Sequence, residues 1–83
     1  PYSFHHYPSP AKDIVTIVID SEFIDMEEIE IVIYSVDGRE MLRTSVDIGT
    51  NDIDISSIPN AIYIMKLIIP DHSNLHSKLI KYK

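Results

Sequence analysis

Glu28-Ile29-Glu30-Ile31-Val32-Ile33-Tyr34-Ser35-Val36-Asp37-Gly38-Arg39-Glu40-Met41-Leu42-Arg43-Thr44-Ser45-Val46 is the stretch that decides the fold. In an extended chain Ile29, Ile31 and Ile33 point to one side while Glu28, Glu30, Val32 and Tyr34 point to the other, the period of two that marks a half-buried strand. Asp37-Gly38 then separates two strand-like runs. A type I′ turn needs positive φ at both central positions, and Asp-Gly tolerates it, so the spacing predicts a hairpin pairing 28–35 with 40–46.

Outward from that hairpin the same composition continues. Sixteen Ile and five Val stand against four Leu and two Ala. Side chains branched at Cβ lose rotamer freedom in a helix and pack well on a pleated surface. Turn signals at Pro8-Ser9-Pro10, Asp20-Ser21-Glu22, Asp47–Asn51, Ser56-Ser57 with Pro59-Asn60, and Pro70–Asn74 cut the remainder into short pieces. Further strands are expected over Ile14–Ile19, Asp52–Ile55, Ile62–Ile69 and Ser77–Tyr82, with another near Phe23–Asp25. Tyr63, Met65 and Leu67 share one face of the strand that holds them, and Lys66 on the other marks that face as wet. The expectation is an all-β, immunoglobulin-like antiparallel sandwich of about seven short strands. Residues 1–9 read as a linker from an upstream domain of an excised fragment, and 10–83 as the sandwich.

Composition removes several function classes. The chain has 83 residues, enough for one core. Its formal net charge is −6, from 13 acidic and 7 basic residues, which makes the phosphate attraction behind nucleic-acid binding unfavourable. No apolar run approaches the roughly 20 residues that span a bilayer as a helix. Cysteine is absent, so neither disulfides nor thiolate metal sites can form.

The residues that carry chemistry are sparse. His5 and His6 are adjacent and face opposite sides of an extended chain, and His72 and His76 sit in or beside a loop, so no metal site is expected. The acidic groups around Asp20–Glu28 and Asp47–Asp54 do not follow the calcium-loop pattern and read as a solvated rim. No nucleophile elbow is present, and two glycines cannot make a phosphate loop. No enzyme activity and no cofactor are expected. One asymmetry remains: all thirteen carboxylates precede Lys78, while Lys78, Lys81 and Lys83 follow without an acid. That pattern fits either a protected edge strand or a basic strand that a receptor reads.

Four segments in order, Tyr7-Pro8-Ser9-Pro10-Ala11-Lys12-Asp13, Ile33–Glu40, Ile55–Leu67 and Lys78-Leu79-Ile80-Lys81-Tyr82-Lys83, resemble the type A carboxyl-terminal sorting domain of cargo for the type IX (Por) secretion system of Bacteroidetes-type bacteria. The likeness covers nearly the whole chain. Ser9 stands where the family usually has Asn, and Ala61 where it usually has Gly.

The resemblance implies a secretion signal that directs an upstream cargo domain across the outer membrane. Its partners would be the outer-membrane translocon and a surface sortase that removes it. The protein would pass through the periplasm of a Gram-negative cell and end secreted or at the surface. Recognition would fall on Gly38 and Arg39 of the hairpin and on Lys78, Lys81 and Lys83, while Tyr7, Pro8, Pro10, Pro59 and Tyr63 would mainly hold the fold. The alternative is a small immunoglobulin-like module of a secreted enzyme or adhesin that binds carbohydrate or protein. Such a module usually shows an exposed aromatic platform, and the chain has no Trp.

Overall fold

The structure, a computed structural model, describes residues 2–21, 28–70 and 74–82. Its strands are β1 (Tyr2–Tyr7), β2 (Ile14–Ser21), β3 (Ile29–Ser35), β4 (Glu40–Val46), β5 (Gly49–Asp54), β6 (Ala61–Ile68) and β7 (Leu75–Lys81), and no helix occurs among the described residues. Two antiparallel sheets, ordered β1-β2-β5 and β4-β3-β6-β7, pack as an immunoglobulin-like sandwich. β2 pairs with β5 and β3 with β6, so both sheets are stitched by connections that skip along the chain.

Alternation along each strand fills the core. Val15, Ile17 and Ile19 of β2, Ile29, Ile31 and Ile33 of β3, and Tyr63, Met65 and Leu67 of β6 are all buried between the sheets. Burying each such side chain contributes roughly 1.5–3 kcal/mol. Val32 is also fully buried although it points outward. It stands opposite Arg43 on one side and Lys66 on the other, long side chains whose methylene stems can cover apolar surface.

The β3–β4 hairpin forms as expected, with a different turn. The Gly38 N–H donates to the Ser35 carbonyl at 2.9 Å and the Ser35 N–H donates to the Arg39 carbonyl at 2.8 Å. The loop therefore has three residues, Val36 to Gly38, with Gly38 at φ 91°. A three-residue loop closed by a left-handed glycine also suits the strand twist, so Asp37 need not adopt positive φ. The register then slips between Ile33 and Tyr34, where Met41 is bulged out of β4.

Residues 1–9, expected as a linker, carry β1, which pairs with β2 from Tyr2↔Ser21 to Tyr7↔Thr16. The reason is an alternation easily overlooked beside prolines and histidines: Phe4 and His6 stand opposite Ile19 and Ile17 and turn inward with them. Pro8-Ser9-Pro10 then takes the chain out of this sheet, and both X-Pro bonds are cis. Ala11 crosses to the other sheet, where it forms a parallel bridge with Lys81. The strand expected near Phe23–Asp25 lies outside the described residues.

Candidate functional site

Register gathers the four sequence segments at one end of the sandwich. Ser35, at the base of the hairpin, stands opposite Tyr63. Ala61, the first residue of β6, stands opposite Lys81. The Ala11 N–H donates to the Ile80 carbonyl and the Tyr82 N–H donates to the Ala11 carbonyl, both at 2.8 Å. The Ile55 N–H donates to the Asp13 carbonyl, also at 2.8 Å. Segments more than seventy positions apart in the chain are thus locked together by main-chain hydrogen bonds.

Side chains complete the junction. The buried Tyr63 ring sends its hydroxyl to the Pro59 carbonyl, so the turn before β6 is tied to the strand that follows it. Burial raises the Tyr63 pKa, and the nearby Arg39 charge works in the opposite direction. At the hairpin, the Ser35 hydroxyl donates to the Asp37 carboxylate, which holds that carboxyl below its ordinary pKa. Pro8 and Pro10 are both exposed, and Tyr7 is 50% exposed.

The structure divides the expected recognition residues. Gly38 and Arg39 are exposed on the hairpin, and Lys78 is exposed on β7. Lys81 is 7% exposed, and its ammonium donates to Asn60 Oδ1 at 3.3 Å. Three residues along a strand reverse the face, so Lys78 and Lys81 cannot both point outward. Lys83 lies outside the described residues.

The outer face of the β4-β3-β6-β7 sheet was not singled out in the sequence. Cross-strand partners share a face. Tyr34 is opposite Ile64 and Ile64 opposite Lys78; Val32 is opposite Lys66 and Lys66 opposite His76; Ile62 is opposite Ile80. Ile62 and Ile64 are 47% and 36% exposed. The Lys66 ammonium lies 5.1 Å from the centroid of the Tyr34 ring. A shallow depression of about 350 Å³ is bounded by Tyr34, Val36, Gly38, Ile64, Lys66 and His76, joining the hairpin to this face. The signal was in the sequence: Ile62, Ile64 and Ile68 alternate with the core residues of the same strand.

Arg43 on this face is paired with its neighbours, donating to Glu30 at 2.7 Å and to both oxygens of Glu40. Those contacts hold the Glu40 carboxyl below its ordinary pKa and raise that of Arg43. Among the described residues, no group of three or more His, Cys, Asp or Glu side chains is arranged to hold a metal. No helix among them is long and apolar enough to cross a membrane.

The sequence model of the family described as "Secretion system C-terminal sorting domain" matches residues 5–82, from the middle of β1 to just past the end of β7. No curated protein matches the chain.

Proposed function

The chain belongs to the secretion-system C-terminal sorting domain family and is a sorting signal for type IX export; on that premise we propose how this molecule is read. Such a domain works with the secretion machinery on behalf of a cargo upstream, takes the protein across the outer membrane, and is not of a catalytic family. In the proposal, the cargo reaches the periplasm by its own signal peptide. The translocon then grips the folded sandwich, and a surface sortase cleaves the linkage to the cargo.

The observation that supports this reading is the convergence of the four segments at one end of the sandwich. Gly38 and Arg39 are exposed there, and Lys78 is exposed on the strand that ends there. A receptor can sense at that end whether the first, middle and last parts of the domain are all in place. Lys81 serves by anchoring β7 from inside, since burial denies it to a partner.

The test is a fusion of residues 1–83 to a periplasmic reporter in a bacterium that has the type IX system. The reporter is expected outside the cell, shortened by about the 9.5 kDa of this domain. Removing Lys78–Lys83 is expected to strand it in the periplasm. Periplasmic retention of the intact, folded fusion sinks the proposal, and carbohydrate binding without export would favour the binding-module alternative.

A further inference from the structure

We infer that the outer face of the β4-β3-β6-β7 sheet is the docking surface, centred on Ile62, Ile64 and Tyr34 with Lys66 and Lys78 beside them, for a protein of the export machinery whose contact surface is apolar and edged with carboxylates. This rests on the sorting reading and adds to it the face that is gripped and the chemistry of what grips it.

The two sheets present opposite outer surfaces. On the three-stranded sheet the outward rows hold Asp20, Asp52 and Asp54 beside Thr16, Val18, His5 and the exposed Ile14 and Tyr7, with no lysine or arginine. On the strands of the four-stranded sheet the outward charged residues are Glu30, Glu40, Arg43, Lys66 and Lys78, three cations against two carboxylates that share Arg43, and the exposed Glu28 stands just ahead of β3. Among the described residues Lys66 and Lys78 have no such ion pair. In a chain of net charge −6, the exposed Ile62 and Ile64 therefore lie beside Lys66 and Lys78 on the sheet whose strands carry more cations than carboxylates, whereas Ile14 and Tyr7 lie among carboxylates alone. Exposed apolar residues in contiguous rows mark an interaction surface, and cationic neighbours call for carboxylates opposite.

Edge pairing is a poorer route. At the end of β7 the Ile80 carbonyl, and just past it the Tyr82 N–H, are already used by Ala11. Other occupants of the face fit less well. Two copies meeting face to face would bring lysines toward lysines, and one copy's basic face on another's acidic face makes a head-to-tail contact that builds rings or filaments instead of a two-fold pair. A lipid surface would gain only about 1 kcal/mol per lysine from two lysines, against repulsion from an acidic body.

The same reporter fusion tests this. Two variants alter the face, Ile62→Ser with Ile64→Ser, and Lys66→Glu with Lys78→Glu. A third, Ile14→Ser with Asp20→Lys, alters the acidic face. Circular dichroism and urea unfolding of each purified domain establish that it is folded. With the unmodified fusion exported, both variants of the basic face are expected to lower export by about tenfold or more. The acidic-face variant is expected to stay within about twofold. Folded variants of the basic face that export normally overturn the inference and leave the sorting reading intact, whereas failure of the unmodified fusion counts against the sorting reading itself. Two further results also overturn it: a dimer of the isolated domain by light scattering that Ile64→Ser dissolves, and binding to phosphatidylglycerol vesicles that Lys66→Glu with Lys78→Glu abolishes while export continues.

Discussion

Lys81 Nζ donates to Asn60 Oδ1 at 3.3 Å from a position 7% exposed, joining the last strand to the turn that opens β6. A lysine placed this way is a structural residue whose ammonium meets a fixed acceptor. Replacing Lys81 by Ala is expected to lower unfolding free energy by about 1–3 kcal/mol, through the lost stem packing and the lost hydrogen bond. The exposed Lys78→Ala should change it by less than about 0.5 kcal/mol. Urea titration of the two variants checks the contrast, and equal effects would show that Lys81 is not anchored.

Tyr63 offers a cleaner deletion. Tyr63→Phe keeps the buried ring and removes only the hydroxyl that reaches the Pro59 carbonyl. The expected loss is about 1 kcal/mol, against about 3–5 kcal/mol for Tyr63→Ala, which also leaves a cavity. A Phe variant as stable as the parent in thermal unfolding would mean that the hydroxyl finds an equivalent partner in water.

Gly38 has φ 91° and nothing within 4 Å of where a Cβ would stand. The penalty of Gly38→Ala is therefore conformational, about 1 kcal/mol, and Gly38→Asn should cost less because Asn tolerates left-handed backbone. Denaturant midpoints for the pair decide it; Asn no better than Ala would point to a steric cause.

His6 should make stability depend on pH above the carboxylate range. Its Nε2 lies 2.8 Å from Ser77 Oγ, its Nδ1 is buried without a side-chain or main-chain partner in hydrogen-bond geometry, and burial holds its pKa below the ordinary 6.5, against an opposing pull from the nearby Lys78 main chain and with a smaller push in the same direction from His5. The unfolded chain thus takes up the proton first, and stability falls as pH drops below about 6.5 until the folded pKa is reached. Asp37, Glu40 and Asp54 have lowered pKa values, so their contribution is present above the ordinary carboxylate range and lost only at more acid pH. Between about pH 7.5 and 5.5 the slope should flatten in His6→Gln, and an unchanged slope would show that His6 is not its source.

Much of the architecture was legible because β-branched alternation has a single solution in the central strands. Ile29, Ile31 and Ile33 could only face inward together, and the hairpin beside them had to follow. β1 was hidden because the inward Phe4 and His6 are separated by His5 and stand just ahead of prolines. The register slip at Met41 left no signal, because a bulge depends on how the turn closes and the sequence favoured a two-residue loop. At the site, strand alternation alone separates Lys78 from Lys81, whereas the grouping of Lys66 with Lys78 and Tyr34 needs the order β3-β6-β7, which no local pattern encodes.

The bridge between Ala11 and Lys81 has a mechanical meaning. The two segments run parallel, so traction on the chain before Ala11 and on the chain after Lys81 slides them past each other. Their two hydrogen bonds lie across that pull and must yield together, instead of opening one at a time like a zip. A domain towed by its leading segment while held at its tail would resist the strain in shear, the stronger of the two geometries.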